Sequence, residues 1–149
     1  MRTIPDPGFA GDTGQVDPEL AAALTAYDAA PDDPAATRAV LTRLAYTRLL
    51  VPVVAILGEV EHDDHGLAHD KTSDMAAVLM TGRDGRKALL AFTGTAALQA
   101  WDPSARPVPV TARHAALSAL QEQASALLID VAGPVMFVVE GADLRALGG

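Results

Sequence analysis

Apolar residues recur at helical spacing in two segments near the amino-terminal end of the chain. Each follows an Asp-Pro pair, at Asp17-Pro18 and at Asp33-Pro34. An aspartate before a proline is typical of a helix start, because the side chain caps the first turn and proline fits the first helical position. The spacing therefore predicts two helices. Their apolar positions are Leu20, Leu24 and Tyr27 in the first and Val40, Leu41, Leu44 and Ala45 in the second.

Continuous apolar runs predict buried strands. The run over residues 49–57 contains Pro52, which we expect at the start of the strand or on a sheet edge, because proline cannot donate to the ladder. Residues 75–80 and 88–92 predict two strands joined by a turn at 82–86. The Asp84-Gly85 pair in that turn favours a hairpin, because both residues tolerate positive φ.

The last third of the chain alternates between helix and strand signals. Thr93 or Thr95 is expected to cap a short helix through Ala100, and Thr111 to cap another. The buried stripe of that second helix is predicted at Ala116, Leu117, Leu120 and Ala124. Two prolines make residues 107–110 extended but unsuited to a central strand. A hairpin over 127–139 turns at 133–134, and a final helix after residue 140 places Leu144 and Leu147 inward.

Hairpins mixed with helices predict the class α+β (mixed α/β) rather than an alternating doubly wound fold. We expect a single domain with a mixed sheet of about five strands, two hairpins and helices packed on the sheet. Residues 1–16, rich in proline, glycine and aspartate, are predicted to be a flexible segment. The domain is predicted over 17–149.

The charge of the chain narrows the classes of partner. Its 149 residues carry a net charge of −8 and no cysteine. A nucleic-acid-binding protein needs a positive surface, and an anionic membrane would repel this chain. The first residues lack the apolar core of a signal peptide, so a cytoplasmic location is expected. Acids are concentrated in residues 1–34 and 59–74. These segments are interpreted as solvated, or alternatively as a docking surface for a basic partner.

Several short motifs between residues 71 and 109 occur in a characteristic order. They are Lys71-Thr72-Ser73-Asp74-Met75, Asp84-Gly85-Arg86, Phe92-Thr93, and Trp101 followed by Arg106-Pro107-Val108-Pro109. In these motifs the chain resembles the SseB amino-terminal domain family of bacteria, over roughly residues 37–147. The resemblance implies a small α/β domain and implies no agreed activity, cofactor or catalytic residue.

The sequence contains no recognisable catalytic set. None of the serines lies in a Gly-x-Ser-x-Gly elbow, and no phosphate-binding glycine motif is present. An enzyme is therefore the less favoured class, and no cofactor is expected. The alternative is a metal-dependent enzyme that uses the loop 61–70. There His62, His65 and His69 lie among aspartates, a ligand set suited to zinc or manganese, although it can equally be a solvated polar loop.

Four residues form a candidate partner-binding patch: Asp74, Thr93, Trp101 and Arg106. Tryptophan and arginine are common at the energetic centres of protein interfaces. The structural alternative is that Trp101 packs over the sheet and that Arg106 stacks on it or pairs with Asp74. The favoured functional hypothesis is a non-catalytic protein-interaction or assembly module, which binds an unknown protein or associates with itself.

Overall fold

The computed structural model describes residues 12–55 and 75–149. Within these ranges the helices are α1 (Pro18–Ala29), α2 (Pro34–Leu44), α3 (Thr95–Trp101), α4 (Ala112–Gln121) and α5 (Gly141–Gly148). The strands are β1 (Arg48–Ala55), β2 (Met75–Ala77), β3 (Leu79–Thr81), β4 (Lys87–Ala91), β5 (Arg106–Thr111), β6 (Ala126–Ile129) and β7 (Phe137–Glu140). No helix in these ranges has the length and apolar character needed to cross a bilayer.

The strands form two linked sheets. An antiparallel sheet has the order β2-β1-β5, and a mixed sheet has the order β3-β4-β6-β7, in which β4 and β6 are parallel. Reciprocal backbone hydrogen bonds of 2.8 Å connect Leu50 of β1 to Phe92, the residue that follows β4. The predicted class, a single α+β domain with two hairpins, is confirmed. The described strands are divided between two sheets, whereas one sheet of about five strands was expected.

The apolar run over 75–80, predicted as one strand, pairs with two different neighbours. Its first half, β2, pairs with β1, and its second half, β3, pairs with β4. Between them the carbonyl of Val78 accepts a hydrogen bond of 3.1 Å from the Leu90 amide. The break at Val78 therefore accounts for part of the difference between the expected and the observed strand count.

Pro52 lies inside the central strand β1, opposite Pro107 of β5, so its predicted place at a strand start or sheet edge is wrong. The Leu50 amide points to Phe92, away from β5. The backbone nitrogen of Pro52, two residues later, also points away from β5. The register of β1 with β2 places Val78 opposite it, and the Val78 carbonyl accepts from Leu90 of β4 instead. No ladder bond is lost there, which explains why a central proline is tolerated.

The main core fills the space between the helices and one face of the sheets. Its buried members from α1 and α2 are Leu20, Leu24, Val40 and Leu44, all predicted from the helical spacing. Of the other predicted positions, Tyr27 and Leu41 are half-buried and Ala45 is exposed. The sheets contribute Leu49, Leu89, Ala91, Leu127, Ile129, Phe137 and Val139. A second cluster lies on the opposite face, under α3, and consists of Leu50, Leu90, Phe92, Ala97, Leu98 and Ala105.

The buried side of α4 matches the predicted one only in part: Ala116, and Ala124 after the helix, are buried as predicted. Its buried residues are Ala112, Ala115, Ala116 and Ala119, while the predicted Leu117 and Leu120 are only half-buried. Alanines permit a close approach of α5. A Cβ added at Gly148 would lie 3.4 Å from the Cβ of Ala116. Close packing between these two helices, rather than the largest apolar side chains, sets the orientation of α4.

The predicted helix caps are confirmed at three of the four starts. Asp17, Asp33 and Thr111 accept hydrogen bonds of 2.9 to 3.0 Å from amides of their first turns. The exception is α3, whose cap is Gly94, so neither Thr93 nor Thr95 caps it. The hydroxyl of Thr93 is instead bonded to Asp130.

Candidate functional site

The candidate metal ligands His62, His65 and His69 lie outside the described residues, as does Asp74 of the predicted patch. Across 12–55 and 75–149, no group of three or more histidine, aspartate or glutamate side chains could hold a metal ion. The hypothesis of a metal site in loop 61–70 therefore stays a prediction.

Thr93 is buried beneath the surface, with 5% of the residue exposed. Its hydroxyl donates to Oδ2 of Asp130 at 2.7 Å, and its amide donates to Oδ1 at 2.8 Å. The side chain thus ties the end of β4 to the end of β6. In this arrangement Thr93 holds the fold together at the point where the two parallel strands end.

Trp101, at the end of α3, is half-buried against the second cluster. Its ring lies 5.6 Å from that of Phe92, tilted by 33°. Arg106 is exposed. It lies on the same face of β5 as Val110, which packs against the main core, so this face is opposite the one that carries the second cluster. Only the turn 102–105 separates the two residues in the chain, but Trp101 packs against one face of the sheet and Arg106 lies on the other.

One face of the mixed sheet is only partly covered. The seven-residue helix α3 covers Leu90 and Phe92, and leaves a shallow groove of about 210 Å³ near β3 and β7. Its apolar floor consists of Met80, Ala88, Ala126, Leu128 and Val138. Met80 and Val138 are each 39% exposed. Arg86 and Lys87 lie along the groove on one side and Glu140 on the other.

A larger cavity, of about 520 Å³, lies at the carboxyl ends of β4 and β6. Its wall combines residues 13–16, the first turns of α1, the start of α3 and residues 134–135. Ligands of open α/β sheets commonly bind outside the carboxyl ends of parallel strands, where loops diverge. This placement makes the cavity the second candidate site.

Asp130 is the buried ionisable residue among those that line this cavity. It is 2% exposed and adopts a φ of 56°, a left-handed conformation that aspartate and asparagine tolerate better than most residues. Burial raises the pKa of its carboxyl, and the two hydrogen bonds from Thr93 oppose that rise. Sequence reasoning missed Asp130, although an acid inside the apolar run 127–131 was a visible signal.

Residues 12–16 pass over the start of α3. The Arg48 guanidinium binds both carboxylate oxygens of Asp12, at 2.6 and 3.1 Å, and the carbonyl of Thr93 at 2.5 Å. The Thr95 amide donates to the Gly14 carbonyl at 2.7 Å. A Cβ at Gly94 would lie 2.9 Å from that carbonyl oxygen. The end of the segment predicted to be flexible thus forms part of the cavity wall.

Comparison with known proteins gives one family. The model of the SseB protein N-terminal domain matches residues 20–146. The match begins before the range suggested by the motifs, so α1 from Leu20 onward falls inside the family domain, while residues 12–16 precede it. No curated protein and no solved structure gives a significant match.

Proposed function

The chain belongs to the SseB N-terminal domain family, and on that premise we propose that it is a non-catalytic protein-interaction module. Its docking surface is the groove on the mixed sheet, floored by Met80, Ala88, Ala126, Leu128 and Val138. The partner is a protein of positive net charge that inserts apolar side chains into this groove. The observation that supports the proposal is the part of the mixed-sheet face that α3 leaves uncovered, where Met80 and Val138 are exposed.

An uncovered apolar sheet face favours docking because exposed apolar area is stabilised by burial against a partner. Alternate residues of β7 are buried and exposed, and the exposed position Val138 is also apolar. Met136, just before β7, is 49% exposed as well. An apolar side chain at an exposed position gains little from burial within the domain, so these residues favour a contact made outside it.

Charge favours a cationic partner over a second copy. The protein carries a net charge of −8, so two copies repel each other at long range, whereas a basic protein is attracted. Around the groove, Arg86 is paired with Asp84 at 2.9 Å, and Lys87 faces a surface that also includes Glu140. The groove itself is nearly neutral and supplies apolar contact, while the rest of the surface supplies attraction.

Trp101 packs against the cluster next to the groove, which also contacts the groove residue Leu128. Its replacement would remove a packing contact with Phe92, so loss of binding in such a variant would be ambiguous. Arg106 lies on the opposite sheet face, and Thr93 is bonded to Asp130. The groove residues Met80 and Val138, which are exposed, are the better positions to test.

The test compares three baits in a capture from native cell lysate. They are the wild type, the groove variant Met80→Lys/Val138→Lys, and the control variant Tyr46→Lys/Val108→Lys. The control also places two lysines at exposed apolar positions, since Tyr46 is 77% and Val108 42% exposed, and both lie outside the groove lining. Both variants have the same net charge.

We expect one protein to be retained by the wild type and the control and lost by the groove variant. The purified partner should then bind in a defined stoichiometry, with an affinity that falls as salt increases. Equal capture by all three baits would contradict the groove as the docking surface. Dimerisation of the wild type alone in sedimentation velocity, abolished in the groove variant, would replace the cationic partner by a second copy.

A further inference from the structure

We propose that the cavity at the carboxyl ends of β4 and β6 binds a small organic cation. The ligand has an apolar body and a protonated amine, and the amine pairs with the carboxylate of Asp130. This site is separate from the groove, which lies toward the other end of β4. The proposal therefore does not depend on the docking of a protein partner.

The dimensions and walls of the cavity suit a small molecule. Its volume of about 520 Å³ falls within the range of about 300–1,000 Å³ that is usual for ligand pockets. Much of the wall is aliphatic, contributed by Val16, Ala21, Leu24, Pro134 and Val135. An apolar ligand body is stabilised by burial against such a wall.

The charged side chains that line the cavity determine which ligand charge it can stabilise. Among the described residues that line the cavity there is no lysine, arginine or histidine, and Asp130 is the one ionisable side chain. The guanidinium of Arg48 lies nearby, but its hydrogen bonds go to Asp12 and to the carbonyls of Gln15 and Thr93. A cation is therefore the ligand charge that the wall can stabilise, and an anion would face only the carboxylate.

The hydrogen-bond donors and acceptors of the cavity wall also favour a ligand that donates. Several donors in the wall are already used. Thr93 donates twice to Asp130, the Thr25 hydroxyl donates to the Ala21 carbonyl, and the Thr95 amide donates to Gly14. A carboxylate can accept about four hydrogen bonds, and Thr93 supplies one to each oxygen. The remaining capacity of Asp130 is for accepting, so the matching ligand group is a donor such as an ammonium.

Burial explains why a cation would be held. Asp130 is 2% exposed, so its carboxyl has lost most of its hydration and is costly to ionise without an opposite charge. The raised pKa of Asp130 expresses that cost. An ammonium bound beside it would restore the missing countercharge in a region from which water is largely excluded.

The experiment uses three probes of the same shape: 4-phenylbutylamine, 4-phenylbutan-1-ol and 4-phenylbutyrate. Each is titrated into the ¹⁵N-labelled full chain and followed by amide chemical shifts. The amine should move amides of residues 13–16, 93–97 and 130–135, and bind about tenfold or more tightly than the alcohol, as expected for a charge-assisted hydrogen bond. The carboxylate should bind least.

Two variants locate the site. Asp130→Asn should remove the preference for the amine over the alcohol. Its fold is expected to survive, because the asparagine oxygen can accept from the Thr93 amide while its NH₂ donates to the Thr93 hydroxyl. Ala96→Phe places a large side chain in the cavity wall and should abolish binding of all three probes. Ala100→Phe, on an exposed position of the same helix outside the lining, is its control.

The proposal is overturned if the amine causes no shifts up to its solubility limit, or if the alcohol binds as tightly as the amine. It is also overturned if Ala96→Phe binds the amine like the wild type, because the shifts would then come from another surface. Retained amine preference in a folded Asp130→Asn protein would likewise remove Asp130 from the site. None of these outcomes bears on the groove.

Discussion

At the scale of single residues, Asp130 combines three constraints that few other residues meet. It is buried, it has a left-handed backbone conformation, and its carboxylate accepts both the amide and the hydroxyl of Thr93. These bonds link the ends of the parallel strands β4 and β6, where the cavity opens. The same side chain therefore stabilises the fold and is part of the cavity lining.

Two replacements of Asp130 should separate its geometry from its charge. Asp130→Ala leaves two buried donors of Thr93 without a partner and places alanine at φ 56°, so the free energy of unfolding should fall by about 2–4 kcal/mol. Asp130→Asn preserves both hydrogen bonds and should stay within about 1 kcal/mol of the wild type at neutral pH. Urea unfolding measures both, and equal destabilisation by the two variants would refute this interpretation.

At the scale of elements, β5 is a sheet edge closed by its prolines. The Leu50 amide points away from β5, so Leu50 and its partner Pro109 form a non-hydrogen-bonded pair. The backbone nitrogen of Pro109 therefore faces the free edge of the sheet. Pro107 has the same orientation. Both positions lack a donor, which keeps other strands from adding to this edge. Under the proposed function, this leaves the groove rather than β5 as the surface available to a partner.

Opening this edge should promote self-association. In Pro107→Thr/Pro109→Thr, two outward N–H groups become available to a strand of another molecule, so we expect a concentration-dependent increase in sedimentation coefficient. Val108→Thr is the control, because it adds a threonine to the same strand without changing the donors at the edge. A double variant that stays as monodisperse as this control would argue against the prolines as edge protection.

At the scale of the whole molecule, the carboxylates respond to pH in opposite ways. Hydrogen bonds from Arg48 and Arg43 lower the pKa of Asp12 and Asp17, so the stability that these pairs contribute is present at neutral pH and is lost in acid. Asp130 has the reverse sign. Its pKa is raised in the folded state, so its ionisation favours the unfolded chain.

This difference predicts a distinct pH profile for Asp130→Asn. As pH rises from 3.8, the ordinary pKa of aspartate, the unfolded wild type loses its proton at this position before the folded protein does. The stability of the wild type relative to Asp130→Asn should therefore fall with rising pH until the folded carboxyl has ionised. Urea unfolding of both proteins at several pH values measures the difference. A difference independent of pH would mean that Asp130 ionises alike in both states.

Local signals in the sequence determined much of the element structure. The Asp-Pro caps, the apolar spacing of the first two helices, the Asp84-Gly85 turn and the hairpin turn at 133–134 act between residues a few positions apart, so they can be identified without knowing the fold. The family motifs belong with them, since their order along the chain is itself sequence information. The acidity of the chain also needed no structure.

The tertiary structure alone decided which sheet each strand joins and which surfaces remain open. The sequence predicts one strand over residues 75–80, but its first half pairs with β1 and its second half pairs with β4. Trp101 and Arg106 are five positions apart, but the packing of α3 places Trp101 on one face of the sheet and the alternation of β5 places Arg106 on the other. Thr93 was predicted as a helix cap or a partner contact, but its hydroxyl donates to Asp130, which lies 37 residues later in the chain. Such pairings depend on long-range register and on how helices cover a sheet, and neither is encoded in any short stretch of sequence.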